Sequence, residues 1–311
     1  MNKLSIIIPV YYNEENLFPL YEDLKERTLD KLTCEYEIIF VDDGSGDKSY
    51  EKMQALAKVD SNIKNVKLSR NFGEHAAILA GLSVCTGDCA IRKAADLQEP
   101  SEIILDMYNK YIEGNKVVLA VRADRDEPWH QKLFSGLYTL IIQKLALSNM
   151  PKGDFDTFLI DRQIIDLLVS LKLNNTPITE LILWSGFKAE MVYYVRKKRE
   201  IGKSRWTFAK KIKASLDALL GFSYFPIRCI TAIGFISFCL SILWAFLLVV
   251  QRLKGAITVD GYTTIVILIL LSSGIIMLSI GILGEYLWRA LDAAKKSPPF
   301  IIDEEKMGNK K

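Results

Sequence analysis

The amino-acid sequence predicts an α/β fold, a mostly parallel sheet with helices on both faces, followed by interfacial helices and a two-helix transmembrane hairpin. Three observations carry this. Short apolar runs alternate with helix-patterned segments up to Val121. Most of the charge lies before position 215. Two long uncharged runs follow position 228.

The elements follow in order. Leu4–Val10 is apolar and ends at Pro9-Val10-Tyr11, so it reads as a buried strand and not as an export signal. Glu14–Arg27 has helical spacing. Tyr36–Val41 is a second strand, closed by Asp42-Asp43-Gly44-Ser45. Helices are expected over Lys48–Val59, Glu74–Cys85 and Ser101–Glu113, and strands over Val66–Leu68, Cys89–Arg92 and Val117–Val121. Such alternation implies βαβ units, and ligands bind such sheets at the carboxyl ends of the strands. Asp42, Asp43, Asp96 and Arg122 all follow strand ends and should face one crevice.

Cys229–Val250 carries no charge, and at about 1.5 Å per residue it can cross a hydrocarbon core of roughly 30 Å. Thr264–Gly284 is the second such run. The loop between them carries only Arg252, Lys254 and Asp260, whereas the outer flanks are far more basic, which places both ends in the cytoplasm. Lys203–Phe225 interleaves Trp206, Phe208, Ile212, Leu216, Leu219 and Leu220 with lysines, a pattern suited to a helix lying in the interface. The expected boundaries are a cytoplasmic domain over 1–200, an interfacial segment over 201–228, spans at about 229–251 and 264–286 within 229–288, and a cytoplasmic tail over 289–311.

The net charge of +3 is too small to argue for nucleic acid. The basic cluster from Arg196 to Lys213 says more, since cations beside a membrane attract anionic headgroups and phosphates. It also serves as a topology signal. Two histidines and five unpaired-looking cysteines leave little for a zinc site.

The motifs then fall in a recognisable order. Ser5-Ile6-Ile7-Ile8-Pro9-Val10-Tyr11 with Asn13-Glu14-Glu15 resembles the opening of family 2 glycosyltransferases, and Val41-Asp42-Asp43-Gly44-Ser45 resembles their second-strand motif. Arg70-Asn71-Phe72-Gly73, Asp96-Leu97-Gln98 with Pro100, Phe155-Asp156 through Arg162, and Arg199, Gly202, Ser204 and Arg205 continue the resemblance, as does Gly284-Glu285-Tyr286. In pattern the chain is similar to the dolichyl-phosphate-mannose-synthase-like enzymes, and among these to the two-span bacterial polyprenyl-phosphate glycosyltransferases.

That resemblance implies a GT-A fold, a Rossmann-like sheet that binds a nucleotide sugar. It implies that Pro9, Tyr11 and Glu14 line the nucleotide pocket and that Asp42 sits near the base or ribose. Asp43 either joins them or caps a turn, and Arg70 either contacts the donor or braces its loop. Where the family has Asp-Ala-Asp-Leu-Gln, this chain has Ala94-Ala95-Asp96-Leu97-Gln98, so Asp96 and Gln98 remain as expected ligands of magnesium or manganese. Arg92 and Lys93 are nearby cations that could stand in for part of the metal's charge. Asp156 is nominated as the catalytic carboxylate, with Asp96 beside it in the catalytic set. A phosphate monoester is already mostly dianionic near neutral pH, so Asp156 either acts as base, orients the acceptor or stabilises charge on the sugar ring. Arg122, Arg199, Lys203, Ser204 and Arg205 are the expected acceptor-phosphate contacts, with Arg125 a further candidate.

The implied activity is inverting transfer from a nucleotide sugar, with UDP the expected nucleotide, to polyprenyl (undecaprenyl) phosphate at the cytoplasmic face of the inner (plasma) membrane. Homo-oligomerisation follows from the same resemblance. Two other readings stand beside it. A processive polysaccharide synthase shares the donor fold, but Ser204-Arg205-Trp206 lacks the preceding Gln of its usual element. A non-catalytic donor-binding scaffold would account for the missing first Asp.

Overall fold

The computed structural model describes residues 2–123, 151, 155–171, 177–197, 236, 261–295 and 297–307. The chain divides into two compact units, Met1–Ala218 together with Ser297–Lys311, and Leu219–Lys296.

The first unit is built on an eight-stranded sheet. In chain order its described elements are β1 (Lys3–Val10), α1 (Leu17–Arg27), β2 (Glu35–Asp42), α2 (Ser49–Val59), β3 (Ile63–Leu68), α3 (Glu74–Val84), β4 (Cys89–Arg92), α4 (Ile103–Ile112), β5 (Val117–Arg122), β6 (Thr157–Asp161), α5 (Arg162–Leu171), α6 (Ile178–Trp184) and β7 (Ala189–Tyr194). The order across the sheet is β7-β5-β6-β4-β1-β2-β3, continued by a C-terminal strand described below. β1 pairs in parallel with both β2 and β4, β2 with β3, and β5 with β7. β6 runs antiparallel between β4 and β5. The carboxyl ends of β1, β2, β3, β4, β5 and β7 therefore share one edge with the beginning of β6.

Burial explains why the central strands read as unbroken apolar runs. Leu4, Ile6, Ile8 and Val10 of β1 join one core with Leu17, Leu20 and Leu24 of α1, Met53 and Leu56 of α2, and Ile103, Ile104 and Met107 of α4. The other face meets α3. A Cβ on Gly81 would lie 2.5 Å from Ile7 Cγ2 and 3.1 Å from Val41 Cγ2, so only glycine lets that helix sit so close.

The expected strands and helices up to Val121 are present, with ends shifted by a few residues. β3 begins earlier than expected, at Ile63. Asp161 ends β6 and accepts a hydrogen bond from the Gln163 amide at 3.0 Å at the start of α5.

Within the C-terminal tail, Ile302–Met307 forms β8, antiparallel to β3 at the sheet edge. Ser69 N–H donates to the Ile301 carbonyl at 3.0 Å, and Lys64 pairs with Glu305 at 3.3 Å. The two prolines at 298 and 299 disfavour continuation of the preceding helix.

In the second unit the described element is α7 (Tyr262–Lys295), of 34 residues. Ile265, Leu268, Ile269, Ile276, Ile280, Leu283, Leu287 and Leu291 on it are exposed. The expected first span, 229–251, lies outside the described residues, as does the interfacial segment 201–228. Among the residues whose side chains are described, none forms an unbroken run long and apolar enough to cross a membrane. The expected hairpin is therefore not seen as such.

Ending the chain after Lys296 removes β8 and bares the long edge of β3. Each lost ladder bond is worth about 1 kcal/mol, so the truncated protein should melt several degrees lower and aggregate more readily. Thermal unfolding of the purified full and shortened chains measures this; equal melting temperatures would show that β8 contributes nothing.

Candidate active site

The site forms where the parallel strands end. β2 delivers Asp42 and Asp43, both buried. Ser45 N–H donates to Asp42 Oδ1 at 3.1 Å, while Asp42 Oδ2 is buried with no hydrogen-bond partner. Burial is the main cause that raises the Asp42 pKa. An unsatisfied carboxylate oxygen at a strand end is a ready acceptor for a ligand N–H or hydroxyl.

Asp43 is committed elsewhere. Its Oδ1 accepts from Phe72 N–H at 2.7 Å and its Oδ2 from Gly73 N–H at 3.0 Å. Asp43 thus braces the Arg70–Gly73 loop, a contact beyond the two roles expected of it. Gly44 supports the same contact: with φ at 69°, a Cβ there would lie 2.6 Å from the Arg70 carbonyl carbon. Burial lifts the Asp43 carboxyl to about 6, against the two backbone amides, with Asp42 and Glu74 adding to the rise. Arg70 stacks over the Phe72 ring at 4.0 Å and donates to the Asn71 carbonyl at 3.2 Å, so its described contacts are with its own loop.

The loop after β1 is fastened to the same turn. Tyr12 N–H donates to Ser45 Oγ and Asn13 N–H to Ser49 Oγ, each at 3.0 Å. Glu14 accepts from Lys48 N–H at 2.9 Å, a bracing contact for a residue expected to line the pocket. Pro9 and Tyr11 lie at the end of β1 beside Val41 and Asp43, and the Tyr11 and Tyr12 rings meet edge to face at 4.7 Å. Tyr12 and Leu97 hold φ of 54° and 59°, the left-handed region that side chains avoid. Both lie in loops leaving strand ends at this site, where such strain is characteristically held in place by its surroundings.

Beyond β4 lies a buried charge cluster. Arg92 pairs with Glu74 and with Glu99, the latter at 3.1 Å, and donates to Thr157 Oγ1 at 3.3 Å. Burial alone would lower the Arg92 pKa; Glu74, Glu99 and Asp156 outweigh it and raise it. Lys93 is wholly buried, and its ammonium donates to the Glu99 carbonyl. Burial pushes its pKa down. Glu99 Oε2 accepts from Ala94 N–H at 3.2 Å. Burial would raise the Glu99 pKa, but Arg92 and Lys93 bring it below the ordinary carboxylate value. Both cations expected to substitute for metal charge are thus consumed inside the fold. Glu99 went unremarked in the sequence; its only signal was a carboxylate beside Pro100.

Asp156 is exposed at the start of β6, next to Thr157 and within electrostatic reach of Arg92 and Tyr194. Arg122 ends β5 opposite Tyr194 of β7, and the chain there continues to Arg196 and Lys197. Arg125, Arg199, Lys203, Ser204 and Arg205 lie outside the described residues.

Asp96 and Gln98, the expected metal ligands, are occupied differently. Asp96 Oδ1 accepts from Gln98 N–H at 3.2 Å, and its Oδ2 stands 3.8 Å from Arg196 Nη2. The same Nη2 donates to Gln98 Oε1 at 2.5 Å. Among the described residues no group of three or more His, Cys, Asp or Glu side chains converges to hold a metal. One carboxylate and one amide oxygen, both facing a guanidinium, do not fit a divalent cation, which wants several oxygen ligands and no adjacent positive charge. In this structure Asp96 and Gln98 both face Arg196.

Two outcomes test this arrangement. Glu99→Gln leaves Arg92 buried with one of its two carboxylate partners gone, so a loss of about 3–5 kcal/mol is expected in denaturant unfolding; a loss under a quarter of that would show the cluster is not the constraint it looks. For Asp43, the folded value of about 6 exceeds the ordinary 3.8, so its contribution to stability is present below 3.8 and is lost as pH rises through about 6. The stability of the wild type relative to Asp43→Asn should therefore fall across that window, and a flat difference would contradict it.

The sequence profile of "Glycosyl transferase family 2" matches residues 5–168. An uncharacterized glycosyltransferase of Bacillus subtilis (strain 168), YkcC, is 34% identical, covering 96% of this chain and 93% of that protein. The bactoprenol glucosyl transferase of Shigella phage SfII is 31% identical, covering 99% of each chain. Among solved structures, glucosyl-3-phosphoglycerate synthase from Mycobacterium tuberculosis with Mn2+, UDP and phosphoglyceric acid is similar at 15% identity and a TM-score of 0.48, covering 70% of this chain and 76% of that one; a likeness so distant bears on neither substrate nor metal here. With the profile spanning more than half of the chain and relatives matching nearly all of it, the protein belongs to glycosyl transferase family 2.

Proposed function

We propose that the protein transfers a sugar from a nucleotide donor, with UDP as the nucleotide, to polyprenyl phosphate at the cytoplasmic face of the inner membrane. The observation that carries the donor half is the buried, unsatisfied Asp42 Oδ2 at the end of β2. A base imide N–H or a ribose hydroxyl would satisfy it, and few other ligands repay so costly an arrangement. The acceptor half draws on the near-full-length similarity to bactoprenol glucosyl transferases.

The membrane reading rests on physics. A helix of 34 residues is about 50 Å long, more than a hydrocarbon core requires. Its segment Thr264–Gly284 carries no charge, and the exposed apolar residues recur largely at spacings of three and four along it. Such a stripe suits lipid. The basic residues Arg199, Lys203 and Arg205 precede the first uncharged run and would meet the acceptor phosphate at the membrane surface.

Transfer with inversion needs the acceptor oxygen to approach the anomeric carbon opposite the leaving nucleotide. The phosphate supplies a charged nucleophile near neutral pH, its second pKa being about 6. Asp156 has no proton to remove from that dianion. Its exposed carboxylate at the start of β6, backed by the immobile Thr157–Arg92–Glu99 cluster, orients the acceptor and offsets positive charge growing on the sugar ring. Magnesium or manganese, expected from the motif, would have to displace Arg196 to reach Asp96 and Gln98, and no step is assigned to it.

Purified protein given radiolabelled UDP-glucose, UDP-galactose or UDP-N-acetylglucosamine with undecaprenyl phosphate should form a lipid-soluble labelled product. Asp156→Ala should cut that rate by about 100-fold or more and leave UDP binding intact. Absence of product with every donor sinks the transfer reading; full activity in Asp156→Ala sinks the role of that carboxylate.

A further inference from the structure

Arg196 is held in place for a charge role that the sequence did not single out. Its neighbour Gln98 is locked on two sides: Gln98 Nε2 donates to the Lys197 carbonyl at 3.2 Å, and Lys197 N–H donates to the Gln98 carbonyl at 2.9 Å. The chain leaving β7 is thereby tied to the Asp96–Gln98 loop leaving β4. Within that tie the Arg196 side chain remains 33% exposed, yet its Nε is buried without a hydrogen-bond partner. A guanidinium offers five donors in a planar fork, and the described contacts use few of them.

The surrounding charges point the same way. Ala94 stands where the resemblance calls for a carboxylate, so one negative group is missing from the loop. Arg92 and Lys93 are buried and bound to Glu74 and Glu99. The cation poised on the motif itself is Arg196.

We propose that Arg196 binds the diphosphate of the nucleotide sugar and carries there the positive charge that a two-carboxylate motif places on a metal, so that donor binding and transfer need no added divalent cation. This rests on the transfer reading above. In the step itself, an acceptor phosphate oxygen forms a bond to the anomeric carbon while the bond from that carbon to the donor's terminal phosphate oxygen breaks. The electron pair of the broken bond stays on the nucleoside diphosphate, whose negative charge rises by one. The guanidinium stabilises that charge through charge-assisted hydrogen bonds, and no proton has to move.

The test uses the full-length protein with UDP as the probe. Calorimetry is run in EDTA and then in Mn2+, with Mn2+ binding followed by electron paramagnetic resonance. Tight UDP binding in EDTA, unchanged by Mn2+, is the expected result. Arg196→Gln should lower UDP affinity by about tenfold or more, leave uridine affinity (read by competition) unchanged, and slow transfer by about 100- to 1,000-fold. Arg196→Lys, which keeps the charge and loses the fork, should fall between. UDP binding that appears only with Mn2+ overturns the proposal, as does wild-type UDP affinity in Arg196→Gln, or no UDP binding under either condition. The wild-type comparison stands even if a variant fails to fold. Arg196-dependent UDP binding without transfer from any donor would leave this proposal standing and remove the transfer reading instead.

Discussion

A guanidinium buried at the carboxyl end of a central strand is strongly destabilising without carboxylates beside it. Arg92 is in that position, and Glu99 and Glu74 supply them. Glu99 does three things at once. It neutralises Arg92, its Oε2 receives the Ala94 amide, and its carbonyl receives the Lys93 ammonium. The strand end and the start of the following loop are fixed by one residue. Because Arg92 also holds Thr157, the same cluster sets where β6 begins and so where Asp156 stands. Both the loop bearing Asp96 and Gln98 and the carboxylate assigned to the acceptor thus rest on one buried ionic cluster.

On the other side of β1 the charge balance is reversed. Asp42 and Asp43 are buried, with Glu74 near enough to raise the Asp43 pKa further. Asp43 is stabilised by the amides of Phe72 and Gly73, the latter immediately preceding α3, where a helix end favours negative charge. Asp42 is held by Ser45, and its Oδ2 is left without a hydrogen-bond partner. Neighbouring aspartates therefore divide into one that holds a loop and one left wanting a partner. That division gives the donor reading its physical content, since a fold seldom buries an acceptor it has no use for.

Much of this was legible in the sequence. Continuous apolar runs flanked by helical patterns gave the parallel core, because strands covered on both faces need no polar alternation. The turn Asp42-Asp43-Gly44-Ser45 announced itself by composition. What was hidden shares one character: it depends on distant pairings. β8 follows two prolines and is rich in acidic residues, so nothing local marks Ile302–Met307 as a strand; its pairing with β3 makes it one. β6 lies between strands of opposite direction, and alternation of strand and helix does not foretell such an insertion. Arg196 sat within a run of basic residues where nothing distinguished it. Only the ladder between β5 and β7, continued by the Gln98–Lys197 bonds, brings it to Asp96 across nearly a hundred positions.

Ala94 and Arg196 make sense as a pair. With a carboxylate at both 94 and 96, the loop would collect two negative charges beside Glu99, and a mobile dication would be the natural counterion. Removing one charge leaves Asp96, which a single tethered guanidinium can balance. The exchange has physical consequences. A guanidinium is permanently charged and always present, so the site does not depend on the concentration of free metal. It also makes hydrogen bonds where a metal makes coordinate bonds, so it withdraws less charge from a leaving diphosphate and offers less Lewis acidity. The proposed acceptor would soften that loss. A phosphate dianion is already a competent nucleophile, and the sequence between Arg196 and Lys213 is rich in cations. Chemistry that needs little activation of the nucleophile can tolerate gentler activation of the leaving group, and this makes a fixed arginine sufficient where a metal would otherwise be expected.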